Sequence, residues 1–465
     1  MVSLRKVSRL VALASSLIPS AVISVALAAV FFALFAMAAI WAPQDQGVIR
    51  QHLIEAIRSG EFSAQTALGP TQTFPMYRSG NDCFLLGMML APTAGNAAAA
   101  LSNQVLAGTN PSALDARAPP YPPCQTILQA LPELGGSGAK FVEYDRYILG
   151  MRVLGRVLLS WTSLKSMRQI LMSTSYALLG LIGLAALWHL VNFRGDAETR
   201  ARAAGYLAIA ASLALFYGVN YFDAMLNFGP LDDVHFIFIL LSLLWPLGDM
   251  RPTPLAIYAG SYGSLITIFE FFSGGIPLAL ALLPLLLALG YRGDRPTYLA
   301  KLVTLWSGFC IAVIATFIIK KIYTIAFLGD AENFITTLLH RTYGGLAETP
   351  EAHYSVTFVA MTFYHASALV GLGSSRIGAS LVFLSLAIVA VVTWRRARMP
   401  SEILLPACWL ALFAIGVWYV VFLNHAILHA SFMARLLIVP IIAAATLIAV
   451  RAPSWRMKTD GSISS

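Results

Sequence analysis

The sequence predicts an all-α polytopic membrane protein, and three observations carry that prediction. The chain of 465 residues is 58% hydrophobic and 11% charged, with a mean hydropathy of +0.74, a balance foreign to a water-soluble domain of this length. Apolar runs long enough to cross a bilayer recur along it. The Lys and Arg residues between those runs fall on alternate connections, as the positive-inside bias requires.

The apolar runs lie near 18–42, 169–193, 203–221, 234–250, 254–272, 275–291, 301–319, 377–394, 403–423 and 436–450, which makes about ten transmembrane helices. Arg5, Lys6 and Arg9 precede the first. Arg194, Arg200 and Arg202 follow the second, Arg251 the fourth, and Arg292, Arg295 and Lys301 the sixth. Arg395, Arg396 and Arg398 follow the eighth, and Arg451, Arg456 and Lys458 the tenth. With ten spans all of these share one side, giving an N-in, C-in topology. The pI near 9.4 is then a cytoplasmic fringe and not a nucleic-acid surface. The first run has an apolar core too long for a typical signal peptide and reads as a retained helix.

The chain divides into an N-terminal tail and first span (1–42), a long first extracytoplasmic loop (43–168), spans two to seven (169–319), a second long outer loop (320–376), and the last three spans with a cytoplasmic tail (377–465). The first loop opens on QGVIRQHLIEAIRSG (47–60), with Val48, Ile49, Leu53, Ile54 and Ile57 at helical spacing. It predicts a helix lying along the membrane surface. The loop ends on EYDRYILGMRVLGRVLLSWTSLKSM (143–167), a second amphipathic surface helix with an apolar stripe of Ile148, Met151, Leu154, Val157, Leu158 and Trp161. Arg152 and Arg156 stand four apart on it. Cys83 and Cys124 lie in this loop and can form a disulfide where the outside is oxidising. Cys310 and Cys408 lie within apolar helices and read as packing residues.

The ionisable residues point to the outer face. His52, His235, His340, His353, His365, His425 and His429 map to the outer half, and only His189 maps to the inner. Charges at helix ends within a membrane are costly unless paired or used. Glu270 stands near the outer end of the fifth span, and Asp223 with the pair Asp232 and Asp233 flanks the loop after the third. Lys320 and Lys321 end the seventh span against the positive-inside bias, where a basic pair suits a phosphate. In FLNHAILHASFMAR, Asn424, His425, His429 and Arg435 converge at another outer helix end. The His pair has zinc spacing, but lacks the intervening Glu of a metalloprotease motif, and an anionic lipid head group suits the set better. For a catalytic base the sequence offers Asp45, directly after the first span, Asp82, and the acid pair Glu143 and Asp145, which precedes Arg146.

Taken together, these features resemble the GT-C superfamily of membrane glycosyltransferases. The resemblance rests on a first helix, a long outer loop bounded by surface helices, and acids just outside the first helix. EYDRYILGMRVLGRVLL and FLNHAILHASFMAR are also similar to segments of poorly characterised bacterial membrane proteins. The topological likeness spans the whole chain, while the sharp motifs cover about thirty residues. It implies transfer of a sugar from a polyprenyl-phosphate carrier to a lipid, glycan or protein at the outer face of the bacterial inner membrane. It implies Asp45 as catalytic acid and Asp232 and Asp233 as an acidic motif of the second outer loop. Arg435, His425 and His429 would then hold the carrier phosphate. This chain departs from the pattern in having no Asp-x-Asp after the first helix and no soluble C-terminal domain. The identity of the base stays open between Asp45 and Asp82, as does any need for a divalent cation. Two other readings compete: an O-antigen ligase or polymerase, whose long outer loop lies late in the chain, and a transporter, which favours internal repeats and charges deep in the membrane.

Overall fold

The computed structural model describes residues 4–42, 46–59, 83–91, 104–106, 141–143, 150–191, 197–217, 229–270, 274–328, 403–422 and 434–456, together with Leu101, Ile127, Ile148 and Leu226. Almost all of it is helical. In chain order the helices are α1 (Leu4–Trp41), α2 (Gln46–Arg58), α3 (Gly150–Leu159), α4 (Leu164–Val191), α5 (Ala197–Tyr217), α6 (Gly229–Leu244), α7 (Pro252–Phe269), α8 (Gly275–Gly290), α9 (Arg295–Leu328), α10 (Leu404–Val421) and α11 (Ile438–Arg456). A helix falls on every predicted apolar run except 377–394, which lies outside the described residues. Four stretches are long and apolar enough to cross a membrane: Leu17–Trp41, Leu164–Val191, Arg295–Phe327 and Leu404–Val421. Gly275–Gly290 and Ile438–Val450 are apolar but shorter. The chain thus has the helices of a membrane protein.

Three features differ from the sequence expectation. The fold is not purely α-helical, because β1 (Gln104–Leu106) and β2 (Phe141–Glu143) pair antiparallel, with Gln104 opposite Glu143. Glu143 therefore stands in a strand, and the helix expected from 143 begins only at Gly150. Finally, α9 runs on to Leu328, so Lys320 and Lys321 lie inside a helix and do not end it. Two lysines cost a helix little, since Lys is a good helix former, and the flanking residues keep the apolar pattern.

The bundle is organised around α8, which is apolar on every side and has almost all its residues buried. Such a helix belongs in a core, and α8 packs against α6, α7, α9 and α10. On one flank α1, α7 and α9 form a tight trio, while on the other α5 pairs with α11 and α4 with α6. The prolines in this core leave carbonyls without their helical donor, and neighbouring helices supply one. Pro284 has no N–H for Leu280, four residues back, and the Trp306 indole donates to that carbonyl at 3.0 Å. Pro246 has none for Ser242, and the Tyr206 hydroxyl donates there at 2.9 Å.

The outside of the bundle is apolar. Ile314, Ile318, Ile322 and Ile325 form an exposed stripe on α9, and Val22, Val30, Leu34 and Met37 do so on α1. Exposed tryptophans stand at both ends: Trp41 and Trp161 at one, Trp188, Trp245 and Trp409 at the other. Apolar flanks between two aromatic girdles are what a bilayer selects.

Candidate functional site

The end of the bundle where α1, α7 and α9 finish and α4, α6 and α8 begin carries an extra layer. In α2, Ile49, Leu53 and Ala56 are buried. They pack with the helical segment 83–89, with Met151 and Leu159 of α3, and with Leu164, Met167 and Leu171 of α4. The apolar face of α2 thus lies against protein, where the sequence placed it along the membrane surface. Polar contacts fix the layer: His52 Nδ1 lies 2.7 Å from the Leu159 carbonyl, and the Gln46 amide donates to the Ala91 carbonyl at 3.1 Å. Cys83, fully buried in this layer, is disulfide-bonded. Cys310 and Cys408 are free thiols, and Cys124, the remaining cysteine, lies outside the described residues.

The α3 helix overturns its expected orientation. Its buried face comprises Met151, Arg152, Val153, Gly155, Arg156 and Leu159, whereas Trp161 beyond it is exposed. Both arginines are only 2% exposed, so the charged side of this expected surface helix is buried as well. Arg156 donates to the Ala91 carbonyl at 3.4 Å. Burial pulls its pKa below the ordinary value, and an arginine remains protonated regardless. A Cβ on Gly150 would lie 2.8 Å from the Ile268 side chain, which shows how closely α3 is set against the end of α7.

Lys320, 4% exposed, reaches up into the same region. Its ammonium donates to the Leu101 carbonyl at 3.0 Å and sits 5.9 Å from the Tyr323 ring centroid. Leu101, Val153, Ile148 and Ile268 form one apolar cluster with Phe32, and Val157, Ile319 and Tyr323 pack on it. The neighbours of Arg152, Arg156 and Lys320 along the chain therefore touch a common cluster. Lys321, next on α9, is half-buried.

The acids lie on the α6–α7–α8 side. Glu270, 1% exposed, ends α7 and accepts a hydrogen bond from the Ile276 backbone N–H at 3.0 Å. It thereby caps the first turn of α8, where the helix dipole favours a negative charge. Gly274, the residue before α8, has φ 101°, a left-handed conformation that turns the chain into that arrangement. Asp232, in the first turn of α6, and its neighbour Asp233 are both buried, again near a positive helix end. Asp233 accepts from the Ser175 hydroxyl of α4 at 2.5 Å. Two positions on, His235 Nδ1 pairs with the Tyr262 hydroxyl of α7 at 2.6 Å.

The structure thus places Asp232, Asp233, Glu270 and Lys320 at one end of the bundle. Glu143 lies in β2 and Arg435 in the 3₁₀ turn Ala434–Leu437. Asp45, Asp82, Asp145, Arg146, Asp223, Asn424, His425 and His429 lie outside the described residues. Sequence reasoning passed over Arg152, Arg156, Ser175 and Tyr262. The spacing of the two arginines was visible, but the segment was read as a surface helix and they were given no role. Among the described residues no group of three or more His, Cys, Asp or Glu is arranged to hold a metal ion.

No protein-family model matches the chain, and comparisons with curated proteins and with solved structures return no match.

Proposed function

We propose that the chain is an integral membrane glycosyltransferase. It takes a sugar from a polyprenyl-phosphate carrier and passes it to a lipid, glycan or protein acceptor at the outer face of the bacterial inner membrane. In this reading there are about ten spans with both termini in the cytoplasm. The disulfide at Cys83 favours an oxidising compartment for the layered end of the bundle. One observation carries the reading: of the buried Asp, Glu, Lys, Arg and His side chains among the described residues, all but Arg202 gather at that end. Charges withdrawn from water at a membrane interface are retained for use or pairing, and cations and carboxylates at one end of the bundle are the groups that phosphate departure and hydroxyl activation need.

The reaction is a single displacement. Asp45 or Asp82 takes the proton of the acceptor hydroxyl as its oxygen attacks the anomeric carbon. The carbon–oxygen bond to the carrier breaks, and the phosphate leaves with the electron pair. Lys320, Lys321, Arg435, Asn424, His425 and His429 stabilise its charge. Attack from the face opposite the carrier inverts the anomeric centre. The test is transfer by purified, detergent-solubilised protein from a panel of polyprenyl-phosphate sugars, with Asp45→Asn and Asp82→Asn compared with wild type. Loss of turnover in one variant, with carrier still bound, supports the reading. Full turnover in both removes the mechanism.

A transporter is the second reading, favoured by the Asp233–Ser175 and His235–Tyr262 pairs buried within the bundle, since titratable groups inside a membrane bundle also serve proton relays. Absence of carrier binding in the same assay would bring it forward.

A further inference from the structure

We propose that His235, Tyr262, Tyr258, Ser242 and Tyr206 form a proton pathway through the helix bundle. The proposal rests on the second reading above and not on sugar transfer. Three observations carry it. First, the five groups are buried, none more than 6% exposed, and they stand in a core whose central helix, α8, has no ionisable residue. Second, they follow one another in order from the layered end of the bundle towards the opposite end. His235 Nδ1 lies 2.6 Å from the Tyr262 hydroxyl. Tyr262 and Tyr258 are one turn apart on α7, with ring centroids at 6.2 Å, and they interact electrostatically. The Ser242 side chain lies within hydrogen-bonding reach of the hydroxyls of both Tyr258 and Tyr206. Third, both ends of the series meet charge. Asp232, three residues before His235, shares its helix face. Arg202 stands one turn from Tyr206 and acts on it, and the exposed Glu198 lies 4.0 Å from Arg202.

The species this chemistry selects is a proton. An imidazole and a hydroxyl each accept a proton on one side and release one on the other, so a proton enters at one end as another leaves at the far end. Only N–H and O–H bonds form and break, and no group keeps a net charge. A metal cation needs a ring of oxygen ligands, whereas the series offers one hydroxyl at a time. Where two hydroxyls do not bond directly, one water completes the step. Arg202 stays a cation and repels a proton at its end of the series, and Glu198 offsets that charge. Aromatic rings wall the path: Phe238 stacks on Tyr262 at 4.3 Å, and Phe309 meets it edge-on at 5.5 Å. Satisfying the backbone does not require all of these hydroxyls. Tyr206 serves the carbonyl that Pro246 leaves without a helical donor. Tyr258, by contrast, donates at 2.8 Å to the Phe238 carbonyl, which lies inside α6 and has the Ser242 N–H as its helical donor.

The experiment measures proton flux into liposomes that hold full-length protein and a lumenal pH dye. Acid is added outside, with the membrane potential clamped by potassium and valinomycin, and protein-free liposomes give the baseline. Wild type is compared with Tyr262→Phe and Tyr258→Phe, which keep the rings and remove the hydroxyls, and with Tyr298→Phe as a control. Tyr298 is also buried, and its hydroxyl donates to the Pro284 carbonyl at 3.0 Å, outside the series. The expected result is flux above baseline in wild type and in Tyr298→Phe, and loss of that excess in Tyr262→Phe and Tyr258→Phe. Sodium flux, read with a sodium dye in the same liposomes, stays at baseline. Wild-type proton flux no faster than that of protein-free liposomes overturns the pathway, as does sodium flux equal to it. Folded Tyr262→Phe and Tyr258→Phe proteins that conduct as wild type does overturn it too. If one of these variants fails to fold, the other decides, together with the wild-type comparison of protons with sodium. Carrier-phosphate binding and sugar transfer, read in parallel, separate the pathway from the readings above. Neither proton flux nor carrier binding overturns the pathway alone and leaves a transporter of another solute. Proton flux alongside sugar transfer upholds the pathway within an enzyme.

Discussion

Glu270 shows how a residue of functional appearance can be occupied by structure. Its carboxylate caps α8 from the end of α7, so its removal exposes a buried N–H to an apolar core. We expect Glu270→Ala to cost about 1–3 kcal/mol and Glu270→Gln, which keeps an acceptor, to cost less, as read by thermal unfolding in detergent. A Glu270→Gln variant with unchanged melting and abolished activity would show instead that the charge serves the substrate. Asp294, exposed at the opposite end, plays the same part for α9. Its carboxylate accepts from the Thr297 backbone N–H, and bonding to Thr297 holds its pKa below the usual carboxylate value. A depressed folded pKa means that the contribution is present above the ordinary carboxylate range and is lost as the pH falls through the folded value. Asp294→Ala should therefore lower the melting temperature at neutral pH, with the gap to wild type closing in acid. The sequence marked Glu270 as a charge out of place but not its partner, because an N-cap reached from the preceding helix depends on the turn at Gly274, which no periodicity reveals.

Between helices, the proline-matched donors are the most specific devices in the fold. Trp306→Phe should cost about 1–3 kcal/mol by leaving the Leu280 carbonyl without a donor. The cost should shrink in a Pro284→Ala background, where the helix supplies its own N–H. A double-mutant cycle on thermal stability measures this coupling, and additive effects would refute it. The trio α1–α7–α9 depends on close approach. A Cβ on Gly263 would lie 2.5 Å from the Phe309 carbonyl oxygen and 3.0 Å from the Ala312 Cβ, in keeping with small residues at membrane helix interfaces. Gly263→Val should force α7 and α9 apart and destabilise by about 1–3 kcal/mol, seen as a lower melting temperature. Among the described residues, helices were legible in the sequence where an apolar run declared them, because membrane spans are set by composition and length. The α3 helix was misread because amphipathicity names two faces without saying which one meets protein. The end of α9 was misread because the lysine pair was taken as a boundary, whereas Lys320 is buried and held by the Leu101 carbonyl, a contact across more than 200 residues of chain.

At the scale of the whole molecule, the buried Asp, Glu, Lys, Arg and His side chains among the described residues, Arg202 apart, collect at one end, and an apolar flank between tryptophan girdles surrounds the rest. The sequence reading mapped seven of the eight histidines to one half, and of those seven only His52 and His235 fall among the described residues. The assembly of the charged end was not legible, because it comes from α3 folding back against α7 and from residues scattered across the chain. The sidedness follows from the same account. Single cysteines at the exposed Trp161 and Trp245 should react with membrane-impermeant maleimide from opposite sides of intact cells, Trp161→Cys from outside and Trp245→Cys only after permeabilisation. The central claim is that the charged end performs sugar transfer facing outward. Its most direct test is turnover of a short-chain, water-soluble carrier-phosphate sugar by sealed proteoliposomes in which a C-terminal tag reports orientation. The account predicts transfer by molecules whose C-terminus faces the lumen when donor is supplied outside. Transfer confined to molecules with the C-terminus on the donor side, or none in either orientation, would contradict it.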